Sequence, residues 1–224
     1  MIKLSKRLEK IAEYVDDGSH VVDIGCDHAL LDIYLVQNKE NITVVASDIN
    51  KNALQSALKN IKRYHVENEI EIIQSNGLES IDTISFDTIV ISGMGSHTIV
   101  GILYQNLSKL KHIHTLILQS NNDLDFLRNK ITKIGYFIEE ESLVKDGGII
   151  YTVVVFKKGY RFISKKEIYF GPVLLKKRDK LFIEKNKKDL EKLEAFYPMI
   201  PKNRIHHRFV TFRKIRMIRK VLDL

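Results

Sequence analysis

Two acidic strand ends carry the chemistry for which this chain can be read. An apolar run, Val21-Val22-Asp23-Ile24, stops at Gly25-Cys26-Asp27-His28, and a second, Ile42–Ser47, leads into Asp48-Ile49. A strand that turns at a glycine and re-enters as a helix leaves backbone N–H groups beside the positive end of that helix. Such a turn holds an anionic or polar cofactor tail. Asp48 stands 23 residues past Gly25, close to the spacing at which a carboxylate accepts hydrogen bonds from ribose hydroxyls. Gly25 allows the backbone to approach a ligand with no side chain between them, and Asp23 can accept from an ammonium group. The order is Asp-x-Gly-x-Asp-His-Ala rather than Gly-x-Gly-x-x-Gly, so a nucleoside with a zwitterionic amino-acid tail fits better than a dinucleotide. Cys26 occupies the turn itself, where a small residue is wanted.

Other residues fall where such a ligand would reach. Asn76-Gly77 follows the third expected strand, at the place of a nucleobase, and Arg7 on the first helix can pair with a carboxylate. The Gly93-Met94-Gly95 loop lets a planar base come close to exposed carbonyls. His97, just beyond it, reads as a polar first-turn residue and not as a base. Gln119-Ser120-Asn121-Asn122 ends another strand on the same carboxyl edge, with Asn122 a possible helix cap. The eight histidines are scattered, and His206-His207 sits in a basic helix without acidic or thiol companions, so no metal is expected. No Gly-x-Ser-x-Gly elbow supports a serine triad.

These residues need elements to position them. Spacing predicts helices at 3–16 and 28–38, then a helix capped by Asn50 that carries Ala53, Leu54, Ala57, Leu58 and Ile61. Strands are expected at 20–25, 42–47, 70–74, 86–91 and 114–119, the run at 42–47 apolar on both faces as a parallel sheet requires. Ser92–Gly95 reads as a loop, 96–107 as a helix capped by Ser96, and 123–133 as another helix. The alternation then breaks: 136–144 and 149–156 read as consecutive strands joined through Lys145-Asp146-Gly147-Gly148, an antiparallel hairpin. Residues 157–170 read as a linker. Pro172 would open a helix to about 197, Pro198 and Pro201 would break it, and a second helix over 204–222 would bring Ile205, Phe209, Phe212, Ile215, Ile218 and Leu222 to a coiled-coil-like seam.

The 224 residues carry 36 Lys+Arg and 28 Asp+Glu, a net charge of +8 that is unevenly spread. Residues 1–156 hold 15 basic and 21 acidic side chains, whereas 157–224 hold 21 basic and 7 acidic. That asymmetry points to a polyanion-binding appendage (157–224) on a catalytic body. One cysteine, no secretory core in the first residues and no long apolar run point to a cytoplasmic protein without a membrane partner. The division expected is 1–158 and 159–224.

A doubly wound α/β sheet finished by an antiparallel hairpin resembles the Rossmann-like S-adenosylmethionine-dependent methyltransferases. More closely, Ser5-Lys6-Arg7-Leu8, Asp23–Ala29, Ser47-Asp48-Ile49, Ile91–Gly95, Leu116–Gln119 and Lys145-Asp146-Gly147 resemble the bacterial TrmK family of tRNA adenine-22 N1-methyltransferases. The similarity spans essentially the whole chain, with departures at Cys26, Leu30, Ser96 and Ser120, where the family usually has Ser, an aromatic, Gly and Pro. The resemblance implies a class I fold with a basic C-terminal helical hairpin, S-adenosylmethionine as cofactor, and tRNA as partner. It also implies transfer to adenine N1. Cofactor contacts are then expected from Arg7, Asp23, Gly25, Cys26, His28, Asp48, Ile49, Asn76, Gly77 and Gly93. Asp27 and the Gly93-Met94-Gly95 loop would serve the acceptor, and a monomer is expected, with dimerisation through the hairpin left open. The alternatives are methylation of another RNA or DNA adenine position, a non-catalytic RNA-binding scaffold, or a nicotinamide oxidoreductase, against which the missing third glycine and the hairpin both count.

Overall fold

The apolar runs become strands. In a computed structural model describing residues 2–224, β1 (His20–Ile24), β2 (Thr43–Asp48), β3 (Ile70–Gln74), β4 (Thr88–Met94), β5 (Thr115–Ser120), β6 (Tyr136–Asp146) and β7 (Ile149–Lys158) form one sheet. Its order is β3-β2-β1-β4-β5-β7-β6, with β1 to β5 parallel and β7 antiparallel to both neighbours. Helices α1 (Lys6–Glu13), α2 (Leu30–Asn38), α3 (Lys51–Arg63), α4 (Ser96–Gln105) and α5 (Leu124–Lys133) supply the crossovers and the covering layers. One core joins α1, α2 and α3 to one face through Ile11, Leu35 and Ile61; a second joins α4 and α5 to the other through Ile99, Leu103, Leu127 and Ile131. Strand order reverses between β1 and β4, the crevice where open α/β sheets bind their ligands.

Several expected boundaries shift for local reasons. Ser92–Met94 belongs to β4, with a bulge between Ser92 and Met94, and is not a free loop. Gly95, not Ser96, is the cap residue of α4, and the Ser96 backbone N–H donates instead to Asn122 Oδ1 at 3.0 Å. Asn122 therefore caps α4 from across the edge, while α5 starts at Asp123 in left-handed conformation without a side-chain cap. The turn between β6 and β7 is Gly147-Gly148, both at positive φ (+54° and +82°), as a two-residue hairpin of matching twist needs. The supposed linker instead holds the end of β7 and α6 (Lys165–Phe170), started by a Ser164/Glu167 capping box. Burial makes this segment structural: Arg128 Nε donates to Glu141 Oε1 at 2.7 Å, Arg128 also donates to the Ile168 and Tyr169 carbonyls, and the Val173 N–H donates to Glu141.

By its internal contacts the chain forms two units, 1–173 and 174–224, a boundary later than the composition change at 158/159. Beyond α7 (Pro172–Lys177), the expected long helix is interrupted: Arg178 takes a left-handed φ of +42°, and Asp179 caps α8 (Lys180–Phe196) by accepting from the Phe182 N–H at 2.8 Å. Helix α9 (Ile205–Leu222) packs on α8 through Thr211, Ile215, Ile218 and Val221 facing Phe182, Asn186 and Leu190. Ile205, Phe209 and Phe212 are exposed, contrary to the expected seam, because the buried stripe sits toward the C-terminal end of α9. Among the described residues no helix is long and apolar enough to cross a membrane.

Candidate functional site

The reversal of strand order opens a cleft of about 390 Å³ at the carboxyl ends of β1, β2 and β4. Its lining carries three carboxylates, Asp23, Asp27 and Asp48, together with Arg7. The β1 turn is tied to β2 by the Gly25 and Cys26 N–H groups, which both donate to the Ser47 carbonyl, at 2.7 and 3.0 Å. Gly25 sits at φ +81°, a conformation that favours glycine, and a Cβ there would also displace the Met94 methyl packed against it. Asp27 and Ala29 also hold left-handed φ, +50° and +54°, a compact entry into α2. Asp48 fixes this entry: its carboxylate accepts from the Asp27 N–H at 3.4 Å and from the Asn50 N–H at 2.8 Å. The Asp27 carboxylate, mostly exposed, lies 3.6 Å from His28 Nε2.

Arg7 is held from three sides. Its Nη1 donates to Gln119 Oε1 at 2.6 Å, its backbone N–H donates to Asp146 at 3.2 Å, and its guanidinium lies 5.4 Å from the centre of the Tyr151 ring. The same Gln119 oxygen accepts from the Gly93 N–H at 3.0 Å, and Asn121 Nδ2 donates to the Gly93 carbonyl at 2.7 Å. Gln119 thus couples the cation to the glycine loop. The sequence reading placed Gln119 on this edge without giving it that task.

Electrostatics single out the buried carboxyls. Burial, then the charge of Asp48, push Asp23 up to about 7, against the pull of Arg7. Asp32, on the buried face of α2, is raised well above the usual carboxylate range by burial and by Asp23. Among the described residues neither Asp32 oxygen has a side-chain hydrogen-bond partner, and the buried Ser47 hydroxyl has none either. Burial and the surrounding carboxylates push the Cys26 thiol far up, so it is a small packing residue and not a nucleophile.

Of the expected residues, Arg7, Asp23, Gly25, Cys26, Asp27, His28, Asp48, Gly93 and Met94 converge on the cleft, joined by Leu8, Leu30, Asn50 and Ala53. Gly95 borders it, one residue past Met94. Ile49, Asn76 and Gly77 lie outside that lining. Ile49 is exposed and offers only its carbonyl, to Gln74; Asn76 bonds Glu79, and Gly77 makes room for Ile102 of α4. No group of three or more metal-ligating side chains gathers among the described residues.

The family model of the TrmK tRNA (adenine(22)-N(1))-methyltransferases matches residues 21–220. The chain belongs to the TrmK family. The family match makes it a tRNA methyltransferase. A Bacillus subtilis tRNA (adenine(22)-N(1))-methyltransferase is 32% identical over 205 residues, covering 89% of this chain and 86% of that protein. A Streptococcus pneumoniae protein solved in complex with S-adenosyl-L-methionine superposes with a TM-score of 0.91 at 34% identity, over 98% of this chain and 100% of that one. Mycoplasma capricolum TrmK, solved with S-adenosylhomocysteine, gives a TM-score of 0.87 at 32% identity, with 98% of each chain covered.

Proposed function

We propose that the cleft binds S-adenosylmethionine through Asp23, Gly25, Asp48 and Arg7, and that Asp27 with the Gly93–Gly95 loop serves N1 of adenine 22 in tRNA. One observation carries this assignment: three carboxylates and one arginine, from three separate segments, face a single cleft at the switch point of the sheet. The residues fit the cofactor's chemistry. A ligand bearing a sulfonium and an ammonium suits an acid-lined wall, a ligand carboxylate suits Arg7, and Gly25 leaves the backbone open to it.

When bound, the cofactor supplies an electrophilic methyl group. The adenine N1 lone pair forms the new C–N bond as the S–C bond breaks, the sulfur keeps that electron pair, and the positive charge passes to the purine. No general base is needed for this displacement, and the protein's task is alignment, which is worth about 7–11 kcal/mol when fully realised. The Gln119 oxygen locks Gly93 and Arg7 in one frame, so the acceptor loop and the cofactor's carboxylate partner keep a fixed spacing. Asp27, exposed at the cleft wall and held by Asp48 through its N–H, keeps its carboxylate free to stabilise the cationic adenine. N1 is occluded in a stacked or paired adenine, so the base enters unstacked. The basic 159–224 segment grips tRNA phosphates, and the enzyme works in the cytoplasm as a monomer.

Incubating the protein with S-adenosylmethionine and unmodified tRNA, followed by digestion and mass spectrometry, tests this reading. N1-methyladenosine is the expected product. Methylation at a different adenine atom would overturn the acceptor assignment, and absence of cofactor binding would overturn the cleft assignment.

A further inference from the structure

An aromatic pair lies a few residues past the acceptor loop, its outer ring exposed and its inner ring packed against the core. The His97 ring, in the first turn of α4, lies on Phe126 of α5 with centroids 4.1 Å apart and planes within 24°. The His97 side chain is 71% exposed, so its second face is open. Its Nε2 lies 4.0 Å from Asp123 Oδ2, which orients the ring. Lys130 extends the arrangement, its ammonium 5.6 Å from the Phe126 ring centre and 5.7 Å from that of Tyr104. Ile99 and Leu103 of α4 and Leu127 and Ile131 of α5, all fully buried, form the core beneath it, and the exposed outer face of His97 is not used by that packing.

Both halves of the stack are registered to the cleft. His97 follows Met94 by three residues, Met94 lines the cleft, and the Ser96 N–H between them is bonded to Asn122, four residues before Phe126. Asn121 in turn bonds Gly93. A planar ligand on the open His97 face would therefore sit at a fixed offset from the acceptor loop, with Lys130 supplying positive charge nearby.

We infer that the open face of the His97–Phe126 stack receives an unpaired base of the RNA substrate, one that neighbours the methylated adenine. This inference rests on the proposed function and names a specificity element of the same site. Continuity with the acceptor loop argues for RNA, since proteins read unstacked RNA bases by laying them on aromatic rings. The cleft lining stops at Met94, short of His97, which assigns the stack to a neighbouring base and not to the acceptor itself.

The test compares His97→Ala, His97→Gln, His97→Phe and Phe126→Leu in steady-state methylation of an unmodified tRNA transcript, with S-adenosylmethionine affinity and Tm measured alongside. One stacked base is worth roughly 1–3 kcal/mol, so KM for tRNA should rise about five- to a hundredfold in His97→Ala and His97→Gln. His97→Phe should restore it, and cofactor affinity should not move. A second arm uses transcripts made abasic at either neighbour of adenine 22. One of them should show the same loss with the unaltered enzyme and no further loss with His97→Ala. Unchanged KM in His97→Ala, or rescue by glutamine as good as by phenylalanine, would overturn the inference while leaving the methylation itself standing. Failure of the unaltered enzyme to methylate tRNA would instead sink the functional reading on which the inference rests.

Discussion

Asp23 and Asp32 show how much a buried carboxyl can govern at the scale of one residue. With Asp23 raised to about 7 in the free protein, a cationic ligand must bind against its proton. Affinity for S-adenosylmethionine should therefore strengthen as pH rises through about 7. Below that value, calorimetry in buffers of different ionisation enthalpy should detect a proton released on binding. Asp32 acts on stability. Its folded-state value lies above the unfolded one, so the unfolded chain ionises first and stability falls as pH rises above the ordinary carboxylate range. Asp32→Asn should remove that dependence, with the melting temperatures of the two proteins diverging as pH rises above about 4, the ordinary carboxylate value. Asp27→Asn keeps a residue type that tolerates its φ of +50° while deleting the charge. It should spare cofactor affinity and lower kcat by a factor of ten or more. A collapse of cofactor affinity would reassign Asp27 to cofactor binding. The acidic strand ends and the glycine turn were legible in the sequence because backbone geometry dictates those types. Asp32 was not, since an acid in the first turn of a helix reads as an ordinary partner of the helix dipole.

At the scale of elements, strands were the most legible because short apolar runs bounded by turn residues mark them; β3 coincides with the expected 70–74. Helix ends were less so. Asn122 looked like a cap for the helix that follows it, yet it caps α4, a contact set by the sheet edge that local sequence cannot carry. The stop at Arg178-Asp179 was missed for a similar reason: a left-handed arginine has no sequence signature, although Asp179 is a standard cap residue. Segment 157–170 read as a linker because its anchor is nonlocal, the buried Arg128–Glu141 pair. Removing one partner of such a pair leaves an uncompensated buried charge, so Arg128→Met should cost about 3–5 kcal/mol in denaturant unfolding. Gly171 at φ +89° is packed against that same Glu141 carboxylate, whereas Gly18 at φ +74° faces open space. Gly171→Ala should then destabilise clearly more than Gly18→Ala, whose cost is backbone strain alone.

For the whole molecule, charge was the most legible property and geometry the least. The excess of 21 basic over 7 acidic residues in 157–224 could be counted directly. Which of those side chains stay open could not, because helical spacing gave Ile205, Phe209 and Phe212 to the seam when the folded unit leaves them exposed. If this segment grips phosphates, tRNA affinity should fall linearly with the logarithm of salt concentration. Arg216→Ala and Lys220→Ala, both exposed on α9, should each flatten that slope by about 0.7–0.9 without altering cofactor affinity. An unchanged slope would place the phosphate contacts elsewhere.

Arg7 has one more consequence, concerning the order in which the protein is made. Its backbone N–H is received by Asp146, 139 residues later, and its guanidinium rests over Tyr151. While a ribosome has delivered only β1 to β5, Arg7 can reach Gln119 but has neither of these two supports. Its backbone anchor and its aromatic support arrive only when the last hairpin closes over α1. Vectorial synthesis therefore separates possession of the acidic wall from possession of a fully braced Arg7.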